Sequence, residues 1–213
     1  MLAVLNCAFD VSEVRAIPTA RTQLRTQHYL KGLKRFFELG PRLDPFRVTL
    51  SDNTVDSTTE LNAEIAAALA SYPIDKLDLK KDNELGARNK GAGVLVSLLR
   101  NLAAIKAAEF VFYFEPRLFL RHFDFIDKFL AEPQNIFSFC EGNACINTGL
   151  FFIEGPLLHQ FCQAVDPASL VAHSISLEYA LYDFIISRNI PHFKAPEMGV
   201  TWHDSQEENY LKM

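Results

Sequence analysis

The chain lacks most of the features that assign a protein quickly. It has four cysteines, Cys7, Cys140, Cys145 and Cys162, and no Cys-x-x-Cys pair. Low cysteine density without such a pair points to reduced, buried thiols in a cytoplasmic protein. A zinc site built on Cys140, Cys145 and a histidine is the alternative. No apolar run approaches the ~20 residues that cross a bilayer. The N-terminus has neither a basic region nor a long apolar stretch, so no signal peptide is expected. Excess positive charge is also missing. With 21 Lys and Arg against 26 Asp and Glu, the formal net charge is -5, which excludes broad nucleic-acid binding. Repeats, low-complexity tracts and clear linkers are absent. The expected location is cytoplasmic, with membrane association through peripheral contact left open.

What is present begins with apolar residues, 49% of 213. That suffices for one domain with a sizeable core and is too little for two comfortable ones. One tryptophan stands against 18 phenylalanines. Phe36-Phe37, the run from Phe110 to Phe125 and Phe151-Phe152 predict an aromatic core. Apolar periodicity predicts strands over 1–9, 46–50, 74–79, 109–114, 135–140 and 148–153. Helices are expected over 21–39, from 58–60 to Pro73, from Gly93 through Ile105, over 118–130, from Gly155 to Val165 and over 174–187. A last extended segment starts at Pro191. Such alternation predicts an α/β fold with a mainly parallel sheet. Ligands on such sheets sit beyond the carboxyl ends of the strands.

The chemistry-bearing residues fall at those strand ends. Asp52 and Asn53 follow the second strand, where a carboxylate can accept from a base or ribose edge; both residues are also ordinary turn formers. Gly86-Ala-Arg88-Asn89-Lys90-Gly91-Ala-Gly93 lies at a loop-to-helix junction. Its glycines permit close approach to phosphate, and Arg88 and Lys90 add positive charge. Glu115-Pro116-Arg117 ends an apolar strand, and two charges there cost desolvation unless used or paired. Asn147-Thr148-Gly149 precedes another apolar strand and offers polar groups to a sugar or acceptor hydroxyl. Glu178 and Asp183 share a predicted helix, five residues apart. His203, beside Trp202, is a candidate to reach a diphosphate or close a lid.

In this order the residues resemble the GT-A fold of nucleotide-sugar glycosyltransferases, especially the inverting family-2 type. That family ends its second strand in a base-binding acid, matched by Asp52. A Gly-x-x-Ala-Arg-Asn-x-Gly segment follows, and Gly86 to Gly91 is similar with its first spacing shortened. A strand then delivers an Asp-x-Asp motif that holds a divalent ion on the diphosphate, and Glu115-Pro116-Arg117 occupies that place. The resemblance covers roughly residues 1–155. Two departures stand out: the longer gap from Asn89 to Glu115, and an arginine at the second acid.

The resemblance implies a single GT-A-like domain over 1–213. Residues 1–117 form the nucleotide-binding part, and 118–213 the acceptor side and C-terminal tail. It implies transfer of a sugar from a nucleotide-diphosphate donor to a hydroxyl of a glycan or lipid-linked acceptor. Glu115 is then the candidate ligand for Mg²⁺ or Mn²⁺. Without a metal, Arg117 takes over part of its charge, since a guanidinium fork suits phosphate oxygens. Glu178 is the expected general base, with Asp183 second. The alternative is a GT-A-like module that binds a nucleotide sugar or glycan without catalysis. A sugar-nucleotide nucleotidyltransferase would need a Gly-rich loop after the first strand, where Asn6-Cys-Ala-Phe-Asp10 stands. A dehydrogenase would need its glycine motif there too.

Overall fold

The structure is a computed structural model describing residues 1–10, 20–140, 142, 144–203 and 210–212, with backbone alone at 20–23, 202, 203 and 210–212. Along the chain run β1 (Leu2–Cys7), α1 (Ala20–Phe37), β2 (Arg47–Asp52), α2 (Ala63–Ser71) and β3 (Lys76–Leu79). Next come α3 (Lys90–Arg100), α4 (Leu102–Ala107), β4 (Phe110–Phe114), β5 (Phe119–Leu120), α5 (Asp124–Ala131) and β6 (Ile136–Ser138). The chain continues through β7 (Leu150–Glu154), α6 (Gly155–Ala164), α7 (Pro167–Ala172), α8 (Leu177–Ser187), β8 (Phe193–Ala195), β9 (Val200–His203) and β10 (Tyr210–Lys212). Seven strands form one sheet in the order β3-β2-β1-β4-β7-β6-β8. β7 is antiparallel to β4 and β6, and every other neighbouring pair is parallel. The α/β class and the mostly parallel sheet expected from the alternating pattern are therefore present. A three-stranded sheet, β10-β9-β5, forms a separate unit.

Because β1, β4 and β7 are buried on both faces, their sequences are almost wholly apolar. One face carries Leu5, Leu50, Phe112, Phe114 and Phe152 against α1, α2 and α5. The other carries Val4, Val111, Tyr113, Phe151 and Ile153 against α3, α4, α6, α7 and α8. Phenylalanines fill the first layer: Phe129 stacks on Phe152 at 3.9 Å between centroids, and Phe112 on Phe152 at 4.6 Å. Each fully buried ring contributes roughly 2–3 kcal/mol. Helix α1 crosses the chain after β4 so closely that any side chain at Gly32 would collide with the carbonyl of Pro116. This contact seats α1 on the Glu115-Pro116-Arg117 turn.

Four local expectations need correction. The helix expected over 118–130 starts only at Asp124, because Phe119 and Leu120 pair with Thr201 and Val200 of β9. That partner is some 80 residues away, and no local pattern reports it. The helix expected to run through Ile105 breaks at Asn101, whose Nδ2 donates to Asp78 Oδ2 and to the Ser97 carbonyl. Helix α7 was not expected, although Asp166 caps it and Pro167 opens it. Finally, Cys140 and Cys145 are joined by a disulfide, with Cα atoms 5.3 Å apart. Neither four reduced thiols nor a Cys140–Cys145 zinc site survives, because each sulfur is bonded to the other. Cys7 and Cys162 are free and buried, as expected. Among the described residues, no helix is long and apolar enough to cross a membrane.

Candidate functional site

A cavity of about 320 Å³ opens at the carboxyl end of β4, beside the first turn of α3. Arg88, Asn89, Lys90, Gly91 and Val94 form one wall. Glu115 and Thr148 come from the sheet. Val171, Ser174, Ser176, Leu177 and Glu178 form the opposite wall, from the connection between α7 and α8. Strands β4 and β7 run in opposite directions, so the end of one and the beginning of the other meet here. Glu115 N–H donates to the Gly149 carbonyl at 2.8 Å, fastening the two.

Glu115 is the charged centre of the site. It is 4% exposed, and Lys90 Nζ lies 2.9 Å from Oε1 and 3.1 Å from Oε2. Arg117 approaches to 3.8 Å from behind. Burial alone would raise the Glu115 carboxyl, but Lys90, Arg117 and Arg25 of α1 outweigh it and hold it below the usual range. Arg117 itself is 5% exposed and does not line the cavity. The cations that face the cavity are Lys90 and Arg88. Among the described contacts, Arg117 reaches the cavity through Glu115, where the expectation was that its guanidinium meets a ligand directly.

The glycine-rich segment is largely a structural joint. Asn89 Oδ1 caps α3 by accepting from Ala92 N–H at 3.2 Å. Its Nδ2 donates to the carbonyls of Leu170 and Ile175 at 3.0 and 2.9 Å, tying α3 to the α7–α8 connection. A side chain at Gly91 would sit 2.8 Å from Leu177 Cβ. Close packing of α8 on α3 therefore requires that glycine, although its backbone also borders the cavity.

Asp52 and Asn53 lie outside the cavity. Asp52 is fully buried; Oδ2 accepts from Phe9 N–H at 2.8 Å, and Oδ1 accepts from both the N–H and the hydroxyl of Thr54 at 2.6 Å. Burial raises its carboxyl, and these bonds only partly offset that. It clamps the loops after β1 and β2 to each other. Asn53 Nδ2 donates to Asn83 Oδ1 and the Gly93 carbonyl. Both residues of the expected base-binding pair are hydrogen-bonded within the protein, to the loop after β1 and to the segment around α3.

Thr148 donates to Glu178 Oε1 at 2.9 Å, which turns Glu178 toward the cavity from the first turn of α8. Asp183, further along α8, is exposed and lines neither this cavity nor the smaller one described below. Asn147 is buried and holds Ser138 through Nδ2 at 3.3 Å, so it supports Thr148 from below. His203 lies in β9, and its side chain is outside the described residues. Sequence reasoning missed Ser174, Ser176, Val94 and Val171. The first two had a local signal: Ser176 caps α8 by accepting from Tyr179 N–H, and Ser174 ends α7 at φ 54°, a conformation that glycine usually takes.

A second cavity of about 200 Å³ was also missed. Phe9, Val55, Leu61 and Ile65 give it apolar walls, and Asp10, Thr26, Glu60 and Asn62 a polar lining. It opens beside the ends of β1 and β2, on the far side of the Asp52 clamp.

Fold and site together define a class: an α/β protein with a mostly parallel seven-stranded sheet and a charged cavity at its carboxyl edge. No model of a known protein family matches the chain, and no curated protein does.

Proposed function

We propose that the protein is a GT-A-type glycosyltransferase that transfers a sugar from a nucleotide-diphosphate donor to a hydroxyl of a glycan or lipid-linked acceptor. The observation that carries this reading is the Lys90–Glu115 pair at the end of β4, backed by buried Arg117 and facing Glu178 across a cavity of about 320 Å³. The donor diphosphate lies against Arg88 and Lys90 at the start of α3, where charge and the helix dipole favour an anion. Glu178, held by Thr148, takes the proton of the acceptor hydroxyl. Lys90 and Arg88 neutralise the departing diphosphate, a role that supplies several kcal/mol of barrier reduction.

A divalent ion does not fit the donor set. Both Glu115 oxygens face Lys90, so the one acid at the end of β4 is already paired with a cation. The reaction is therefore read as metal-independent, with fixed cations in the metal's place. A second reading, a module that binds a nucleotide sugar without turnover, draws support from Arg117, which stands where the resemblance expects the second metal-binding acid.

Thermal unfolding in the presence of nucleoside diphosphates and nucleotide sugars, with Mn²⁺ and with chelator, tests the proposal. Stabilisation by one nucleotide class, equal in chelator, is the expected result. Strict dependence on Mn²⁺ or Mg²⁺ sinks the metal-free version. Binding without hydrolysis or transfer would leave the non-catalytic reading standing. Glu178→Gln should reduce turnover by roughly 10²–10⁴ without loss of donor binding, and full turnover would remove Glu178 from its role.

A further inference from the structure

We propose that the Cys140–Cys145 disulfide is a thiol–disulfide exchange site whose redox state sets the order of the cavity wall. The inference deepens the reading of the cavity as a ligand site and rests on that reading for its effect on affinity.

The pair is the accessible redox centre of the chain. Both its cysteines are half-buried, whereas Cys7 and Cys162 are 1% and 2% exposed. Burial pushes the Cys7 thiol up and the Cys162 thiol up to about 12, so neither supplies thiolate at neutral pH.

The pair is also wired to the cavity. It closes the connection between β6 and β7, where Cys140 N–H donates to the Cys145 carbonyl at 2.9 Å and Phe139 bridges Ile146. Immediately beyond the bond, two consecutive ties reach the first turn of α8. Ile146 N–H donates to the Glu178 carbonyl at 3.2 Å, and two residues on, Thr148 Oγ1 donates to Glu178 Oε1. Between these ties, Asn147 Oδ1 lies 3.7 Å from the Cys140 sulfur. In the disulfide that sulfur bears no proton. Once reduced, its S–H can donate to Asn147 Oδ1, a bond that the disulfide cannot make.

The exchange balances with a dithiol as reductant. One of its thiolates attacks a sulfur of the pair, and the other sulfur leaves as thiolate and takes a proton. The second thiol of the reductant then displaces the first cysteine. The dithiol becomes a cyclic disulfide, and Cys140 and Cys145 each gain a hydrogen. The loop regains freedom, so a ligand that contacts Thr148 and Glu178 must order it on binding.

The test uses the whole chain, oxidised or treated with dithiothreitol, and a Cys140→Ser/Cys145→Ser variant. Alkylation followed by intact mass should show two thiols released by dithiothreitol in the native protein. Amide exchange at Ile146–Thr148 and in the first turn of α8 should quicken about tenfold on reduction and in the double variant. Affinity for UDP-glucose and GDP-mannose, used as probes, should fall about five- to tenfold, the low end of usual site–site coupling. A pair that resists dithiothreitol in the folded state, or exchange rates unchanged in both the reduced protein and the variant, overturns the proposal. Faster exchange with no nucleotide sugar bound in either state supports the redox link and defeats the nucleotide-sugar reading instead.

Discussion

Asp52 and Glu115 are both buried carboxylates at the ends of parallel strands, and they do opposite things. Asp52 accepts only from neutral donors of its own loops, and its carboxyl is raised. Glu115 accepts from a lysine whose side chain is 53% exposed, and its carboxyl is lowered. A carboxylate satisfied by backbone N–H groups is a fastener, because a ligand has nothing to displace. A carboxylate satisfied by a flexible cation at a cavity wall can exchange partners with a ligand. Burial of an acid therefore says little about function until its partners are known.

The sharpest way to break the contrast is Arg117→Ala. It leaves Glu115 buried with one fewer cation and should cost about 3 kcal/mol of unfolding free energy by urea titration, with donor affinity reduced as well. Unchanged diphosphate-sugar affinity would count against any role for Arg117 in the site. Asp52→Ala should cost nearly as much, about 2–3 kcal/mol, by stranding the N–H groups of Phe9 and Thr54. It should leave nucleotide affinity of the folded protein within about twofold. A large affinity loss would return Asp52 to the binding site.

Lys90→Met departs from that pattern. Its ammonium is half-exposed but is the cation nearest to buried Glu115, so stability should also fall, by about 1–3 kcal/mol. Affinity for a nucleoside diphosphate should drop with it, roughly tenfold in calorimetry.

The smallest effect is the pH dependence, and its sign differs between the two acids. Glu115 is depressed when folded, so its stabilisation is complete above the ordinary 4.5 and is lost as pH falls through the depressed value. Asp52 is raised, so its ionisation costs stability as pH climbs from the ordinary 3.8 through the raised value. In urea titrations on acidification, the advantage of wild type over Glu115→Gln should shrink. The advantage over Asp52→Asn should change in the opposite direction. Parallel behaviour would erase the distinction between fastener and exchangeable acid.

Much of the site was legible locally. The Asn89-Lys90-Gly91 junction announces a capped helix start, and Glu115-Pro116-Arg117 announces charge at the tip of a buried strand. Both reach the cavity region because the ends of parallel strands share one edge of the sheet. Partners were not legible. Nothing near Asp52 in sequence says that Phe9, 43 residues away, will claim its oxygen. Nothing near Glu178 announces Thr148, 30 residues away. Spacing also left Cys140 and Cys145 open to a zinc reading, which the bond between them removes.

By itself the sequence determined the alternation of strands and helices, the aromatic core and the row of polar residues at strand ends. These follow from periodicity and turn chemistry, which act within a few residues. Only the tertiary structure decided which charges meet: that Lys90 and not Arg117 faces the cavity, that Asp52 clamps the loop after β1 to its own, and that Glu178 rather than Asp183 is turned inward. Those outcomes depend on hydrogen bonds and ion pairs between residues far apart in the chain. Burial makes each such choice exclusive, since a buried group satisfied by one partner has nothing left for another.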